Sequence, residues 1–115
     1  MKIRQGFVSN SSSSSFICHT KLSIDEVNEI LQEMLDFYNK IYNDEKQFHD
    51  VFDYTRKLDT EDIVNWNKDY GEYYCKLDED DIGAINIRSC YDNSIPYTLF
   101  DFICEKFNGH RIHLG

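Results

Sequence analysis

Four cysteines and four histidines in 115 residues raise zinc as the first candidate chemistry. Structural zinc needs closely spaced ligand pairs, C-x2-C or H-x3–5-H, so that four donors converge on one ion. Cys18, Cys75, Cys90 and Cys104 form no such pair. Cys18 and His19 are adjacent and His110 and His113 stand three apart, and on a strand either pair points to opposite faces. Only a composite metal site drawn from distant segments stays open. The run Asp78, Glu79, Asp80, Asp81 invites a calcium loop, yet the fifth and twelfth loop positions fall on Ile82 and Ser89. Two oxygen ligands are then missing, the bidentate carboxylate among them, so a solvated turn fits better. There is no G-x-S-x-G nucleophile elbow, and no spacing singles out a cysteine–histidine pair. The sequence assigns no catalytic residue, metal or cofactor, and it leans away from an enzyme. Each cysteine lies among apolar or aromatic neighbours, which suits small reduced core residues.

The serine run is the strongest oddity. Ser9, Asn10, Ser11, Ser12, Ser13, Ser14 and Ser15 follow one another without interruption. Three readings stay open. The run is a plain polar loop, a segment read or modified by another protein, or an anion cradle. In the last, hydroxyls and successive backbone N–H groups hold a phosphate or nucleotide while Arg4 and Lys21 add charge.

A second pattern is acidic. Glu26, Glu29, Glu33 and Asp36 recur at i, i+3, i+7 and i+10, which stacks like charges along one side of a helix. Proteins usually dilute such a stripe with lysines, and here only Lys40 follows. The row serves solubility, or it imitates a line of DNA phosphates and occupies a basic groove on a partner.

These residues need elements to hold them. Residues 2–8 and 16–20 read as two strands framing the serine loop. Ser23 and Glu26 form a capping box, and the apolar positions Ile24, Val27, Ile30, Leu31, Met34, Leu35, Tyr38, Ile41 and Tyr42 recur at helical spacing, predicting an amphipathic helix near 24–43. The stretch 44–58 is ambiguous and leans to helix. Asp59 or Thr60 caps a short helix to about Asp69, broken at Gly71. Tyr73, Cys75 and Leu77 on one face of 72–77, and Ile85 and Ile87 on one face of 82–89, predict a hairpin around the acidic run. Asn93, Ser94 and Pro96 turn into a last helix over about 96–107, with Leu99, Phe100, Ile103 and Phe107 inward. Asn108-Gly109 ends it through a left-handed glycine, and 110–114 adds a closing strand. The expected fold is α+β: a small, mostly antiparallel sheet with the 24–43 and 96–107 helices on one face.

Composition sets the bounds. A chain this long forms one domain, 1–115, burying roughly two-thirds of its unfolded surface. Hydrophobic residues at 41% and aromatics at 15% argue against disorder. No apolar run approaches the ~20 residues of a membrane span, and the N-terminus has no signal-peptide pattern. The formal charge is −9 and the pI about 4.7, so direct binding of a nucleic-acid backbone is disfavoured. The charge is unevenly placed. Residues 1–23 carry +3, while the rest hold nine bases and all 21 acids. Eight phenylalanines, eight tyrosines and a tryptophan exceed what one small core readily buries, which allows a homo-oligomer.

Both ends of the chain carry a resemblance. The opening Lys2-Ile-Arg-Gln-Gly-Phe-Val-Ser-Asn-Ser-Ser-Ser-Ser-Ser-Phe16 resembles the N-terminus of a set of small, uncharacterised proteins of bacteriophages and prophage-bearing bacteria. The ending, Asn93-Ser-Ile-Pro-Tyr97 through Phe107 to Arg111-Ile-His-Leu-Gly115, is similar to theirs, and the middle lies outside the resemblance. No catalytic residue carries over. The resemblance implies a phage accessory protein acting in a bacterial cytoplasm. Joined to the acidic row, it gives the leading expectation: a non-enzymatic protein that binds and inhibits a host protein with a basic surface, such as a defence nuclease, in the manner of an anti-CRISPR. The alternative is a small anion- or nucleotide-binding domain, a sponge or an enzyme, built on the serine loop.

Overall fold

In a computed structural model, which describes residues 13–89 and 97–114, the central strand begins inside the serine run. This strand, β1 (Ser14–Cys18), is buried at every position. It pairs antiparallel with β3 (Ile85–Ser89) on one side and β4 (Gly109–His113) on the other. The edge strand β2 (Phe52–Lys57) pairs antiparallel with β3, giving the order β2-β3-β1-β4. The strand expected at 16–20 therefore starts two residues earlier, and Ser14 and Ser15 belong to the sheet rather than to a loop. The strand expected at 2–8 and the turn at Asn93–Pro96 lie outside the described residues.

Alternation along β1 sorts the core. Phe16 and Cys18 face one way, beside Ile85 and Ile87 of β3, and are covered by α1 (Ile24–Tyr42) and α4 (Tyr97–Lys106). Val27, Leu31, Leu35, Ile103 and Phe107 close this layer. Ile17 faces the other way and packs with Ile63 and Trp66 of α3 (Thr60–Asp69), Leu77 and Ile112. The expected α+β architecture is the observed one, with α1 and α4 on one face and α3 partly covering the second.

Local chemistry explains the helix ends. The Glu26 N–H donates to Ser23 Oγ at 3.2 Å and the Ser23 N–H to Glu26 Oε1 at 3.0 Å, a complete capping box. Asn43 then stops α1 in the left-handed region, at φ 52°. Asp59 caps α3 in the same reciprocal way with Asp62.

Three expected elements differ. Over 44–58 the chain makes one helical turn, α2 (Phe48–Val51), and then β2, because Tyr54, Thr55, Arg56 and Lys57 find ladder partners on β3. The aromatic and β-branched content of this stretch suits a pleated surface. Residues 72–77 form turns and an irregular segment instead of a strand. Side chains of α3 take their backbone groups: Asn67 bonds both the N–H and the C=O of Leu77, at 2.7 and 2.8 Å, and Trp66 Nε1 donates to the Cys75 carbonyl at 2.8 Å. The acidic run is a short 3-10 turn, Glu79–Asp81, capped by Asp78. The last difference is at Asn108-Gly109, where Asn108 takes the positive φ, at 51°.

Candidate functional site

The acidic row lies on the solvent side of α1. Glu26, Glu29, Glu33 and Asp36 are all exposed, as is Lys40. They are not equally free. Glu26 is engaged in the cap, and Asp36 accepts a hydrogen bond from Gln32 Nε2 at 2.9 Å. Glu29 and Glu33 are the carboxylates best placed to meet a partner.

Beside this row runs an apolar groove between α1 and α4. It holds about 280 Å³ and is lined by Met34, Phe37, Tyr38, Ile41, Tyr42, Thr98, Leu99 and Phe102. Phe37 is 65% exposed, Ile41 57%, Tyr42 58% and Phe102 52%. The sequence places Ile41 and Tyr42 on the inward stripe, but on the last turn of α1 both stay exposed. A second hollow continues the groove past Ile30, Glu33, Met34, Phe37, Phe102 and Lys106. Helical spacing ties the two patterns together. Glu26, Ile30, Glu33 and Phe37 are successive i, i+4 and i+3 neighbours, so acids and apolar side chains alternate along one edge. On α4, exposed Asp101 and Glu105 flank Phe102. The two helices carry seven exposed acids against Lys40 and Lys106. At the groove's end, burial and the Asp44 carboxylate push the Tyr38 phenol above its ordinary value, so it stays a hydrogen-bond donor, reaching Asp44 at 3.4 Å.

The serine loop is not assembled as an anion cradle by the described residues. Ser9, Asn10, Ser11, Ser12 and Arg4 lie outside them. Ser14 is 2% exposed and Ser15 fully buried, inside β1. Ser14 Oγ accepts from Arg111 Nε at 2.9 Å, with the guanidinium over the Phe100 ring at 4.8 Å. Lys21 is exposed and lies beyond the far end of β1 from Ser14 and Ser15, so the strand separates it from them. A polar strand start at a sheet centre has no sequence signal, because serine propensity favours turns.

Among the described residues, no three of His, Cys, Asp and Glu are grouped to hold a metal ion. Cys18, Cys75 and Cys104 are free thiols. Burial, with Cys104 nearby, pushes the Cys18 thiol up to about 12, far from a nucleophile's range. Among the described residues, no helix is long and apolar enough to cross a membrane. No protein-family model matches the chain, and comparisons with curated proteins and with solved structures gave no match.

The groove residues Phe37 and Phe102 are the ones sequence reasoning missed. Their signal was available: each sits off the inward stripe of its helix, where an aromatic side chain has no core to enter.

Proposed function

We propose that the protein is a non-enzymatic interaction module that seats a basic, amphipathic segment of another protein in the groove between α1 and α4. The carrying observation is the juxtaposition of an exposed apolar groove with exposed carboxylates on both rims. Apolar side chains of the partner enter the groove, and its lysines or arginines meet Glu29, Glu33 and Glu105. Apolar contact supplies most of the affinity, while the charges steer approach and reject acidic partners. The same charges disfavour a dimer through this face. A two-fold contact sets identical acidic rims against one another, and like charges so placed cost stability. The resemblance of the two chain ends to phage-encoded proteins supports a host protein as partner, with a defence nuclease as the leading class and inhibition as the outcome.

The test is capture from bacterial lysate followed by measurement of the isolated complex. Wild type is expected to hold a basic protein in a complex that weakens as salt rises. Glu29→Gln with Glu33→Gln slows association, and Phe37→Ser with Phe102→Ser abolishes the complex. Glu26 is left intact because its loss also damages the α1 cap. A complex that survives both pairs of substitutions sinks the proposal.

A further inference from the structure

The second face of the sheet offers chemistry of another kind. A cleft of about 210 Å³ opens between α3 and strands β2 and β3, lined among others by Tyr54, Tyr70, Asn86 and Arg88. Tyr54 and Arg88 are register partners, and so are Arg56 and Asn86, so all four belong to one face.

Two basic groups border the cleft, and they differ. Arg56 is committed to Asp62, Nη2 to Oδ1 at 2.7 Å. Arg88 is half-buried and makes no ion pair among the described residues. Its terminal nitrogens donate only long hydrogen bonds, to Tyr54 Oη at 3.4 Å and Tyr70 Oη at 3.5 Å. A guanidinium has five N–H donors and no acceptor, so both phenol oxygens accept here and their own protons remain free to donate. Guanidinium and two phenols thus form one donor cluster with no strong acceptor. Burial works against the Arg88 charge, yet the two tyrosines hold its pKa above the ordinary value.

The cleft wall carries a further polar residue. Asn86 is 3% exposed and lines the cleft, and its buried Oδ1 has no hydrogen-bond partner. Buried polar atoms are nearly always paired, so this one adds uncompensated polar character just behind the cleft wall. Behind it, Ser15 Oγ, whose residue pairs with Arg88 across the ladder, is also buried and unpartnered. Arg56, Arg88, Asp62 and Asp69 give the cleft no net charge. A polyphosphate gains nothing from such a field, whereas a single oxyanion gains the donor cluster.

We propose that this cleft binds the oxyanion of a small molecule, a carboxylate or a single phosphate group, whose oxygens meet Arg88, Tyr54 and Tyr70. Phosphate monoesters and small carboxylates share this chemistry. The site is independent of the groove, which lies on the opposite face.

Titration of the full chain, followed by backbone amide NMR, tests this with inorganic phosphate, α-glycerophosphate, lactate and glycine as separate probes. Saturable shifts at Tyr54, Tyr70, Asn86 and Arg88 are expected with at least one probe. Response to the first two alone assigns a phosphate ester, and response to the last two alone assigns the carboxylate class. Arg88→Gln weakens binding about tenfold or more, the scale of a lost charge-assisted hydrogen bond. Tyr70→Phe, which keeps the ring and so the packing, weakens it several-fold. Lys106→Gln on the opposite face binds like wild type. Absence of saturable binding at millimolar concentration with all four probes overturns the proposal. So does binding that Tyr70→Phe and a folded Arg88→Gln leave unchanged.

Discussion

At Gly109 the fold leaves no room for a side chain. An added Cβ would lie 2.7 Å from Cys18 Sγ and 3.0 Å from the Ile17 carbonyl oxygen. Gly109→Ala is expected to lower stability by roughly 1–3 kcal/mol through overpacking, measured by urea unfolding with Trp66 fluorescence. The sequence marks this position as special for a different reason, a left-handed turn, and that conformation belongs to its neighbour Asn108. Asp62 carries a pH dependence. Burial opposes its charge, but the Asp59 N–H and the Arg56 guanidinium outweigh it and hold the carboxyl below the ordinary 3.8. The folded pKa being the lower one, its stabilisation is complete above the unfolded value and is lost as pH falls through the folded value. Asp62→Asn should therefore be less stable than wild type at neutral pH. The gap should narrow below about pH 4, read from unfolding free energies across that range.

Among the elements, α1 was legible because three signals coincide: a capping box, a helical apolar period and an opposing acidic face. Segment 72–77 was not. Tyr73, Cys75 and Leu77 alternate as a strand should, but alternation describes side chains and says nothing of where the backbone finds partners. Asn67 supplies them. Asn67→Ala leaves the N–H and C=O of buried Leu77 without these bonds, and is expected to cost about 2 kcal/mol. Amide exchange at Leu77 should accelerate with it, which separates loss of this tie from a general weakening of α3. The stretch 44–58 misled for a related reason. Its apolar spacing suits a helix, yet β3 needs a neighbour on its free side, and the ladder with β2 decides the matter.

On the scale of the molecule, one four-stranded sheet separates two unlike surfaces. One is an apolar groove between acidic helices, and the other is a polar cleft around Arg88. Because Phe37 and Phe102 project mostly into solvent, Phe37→Ser with Phe102→Ser should leave the urea midpoint close to wild type, within about 0.5 kcal/mol per site. Loss of stability well beyond that would mean the pair belongs to the core and not to a docking surface. The acidic row itself was readable from spacing alone. Its apolar companion was readable only in part, since which apolar residues of α1 go unburied depends on what the rest of the chain packs against them. The Arg88 cleft was not readable at all: Tyr54 comes from β2, Asn86 and Arg88 from β3, and Tyr70 from the residue that follows α3. The sequence by itself determined the α+β class, the α1 and α4 helices, the capping of α1 and the placement of charge, because each is read from patterns among residues near one another in the chain. Only the tertiary structure decided that Ser14 and Ser15 lie in the central strand, that the α1–α4 groove stays open, and that Arg88 has phenols rather than a carboxylate for company. Those outcomes depend on ladder partners and covering helices far away in sequence, which no local pattern encodes.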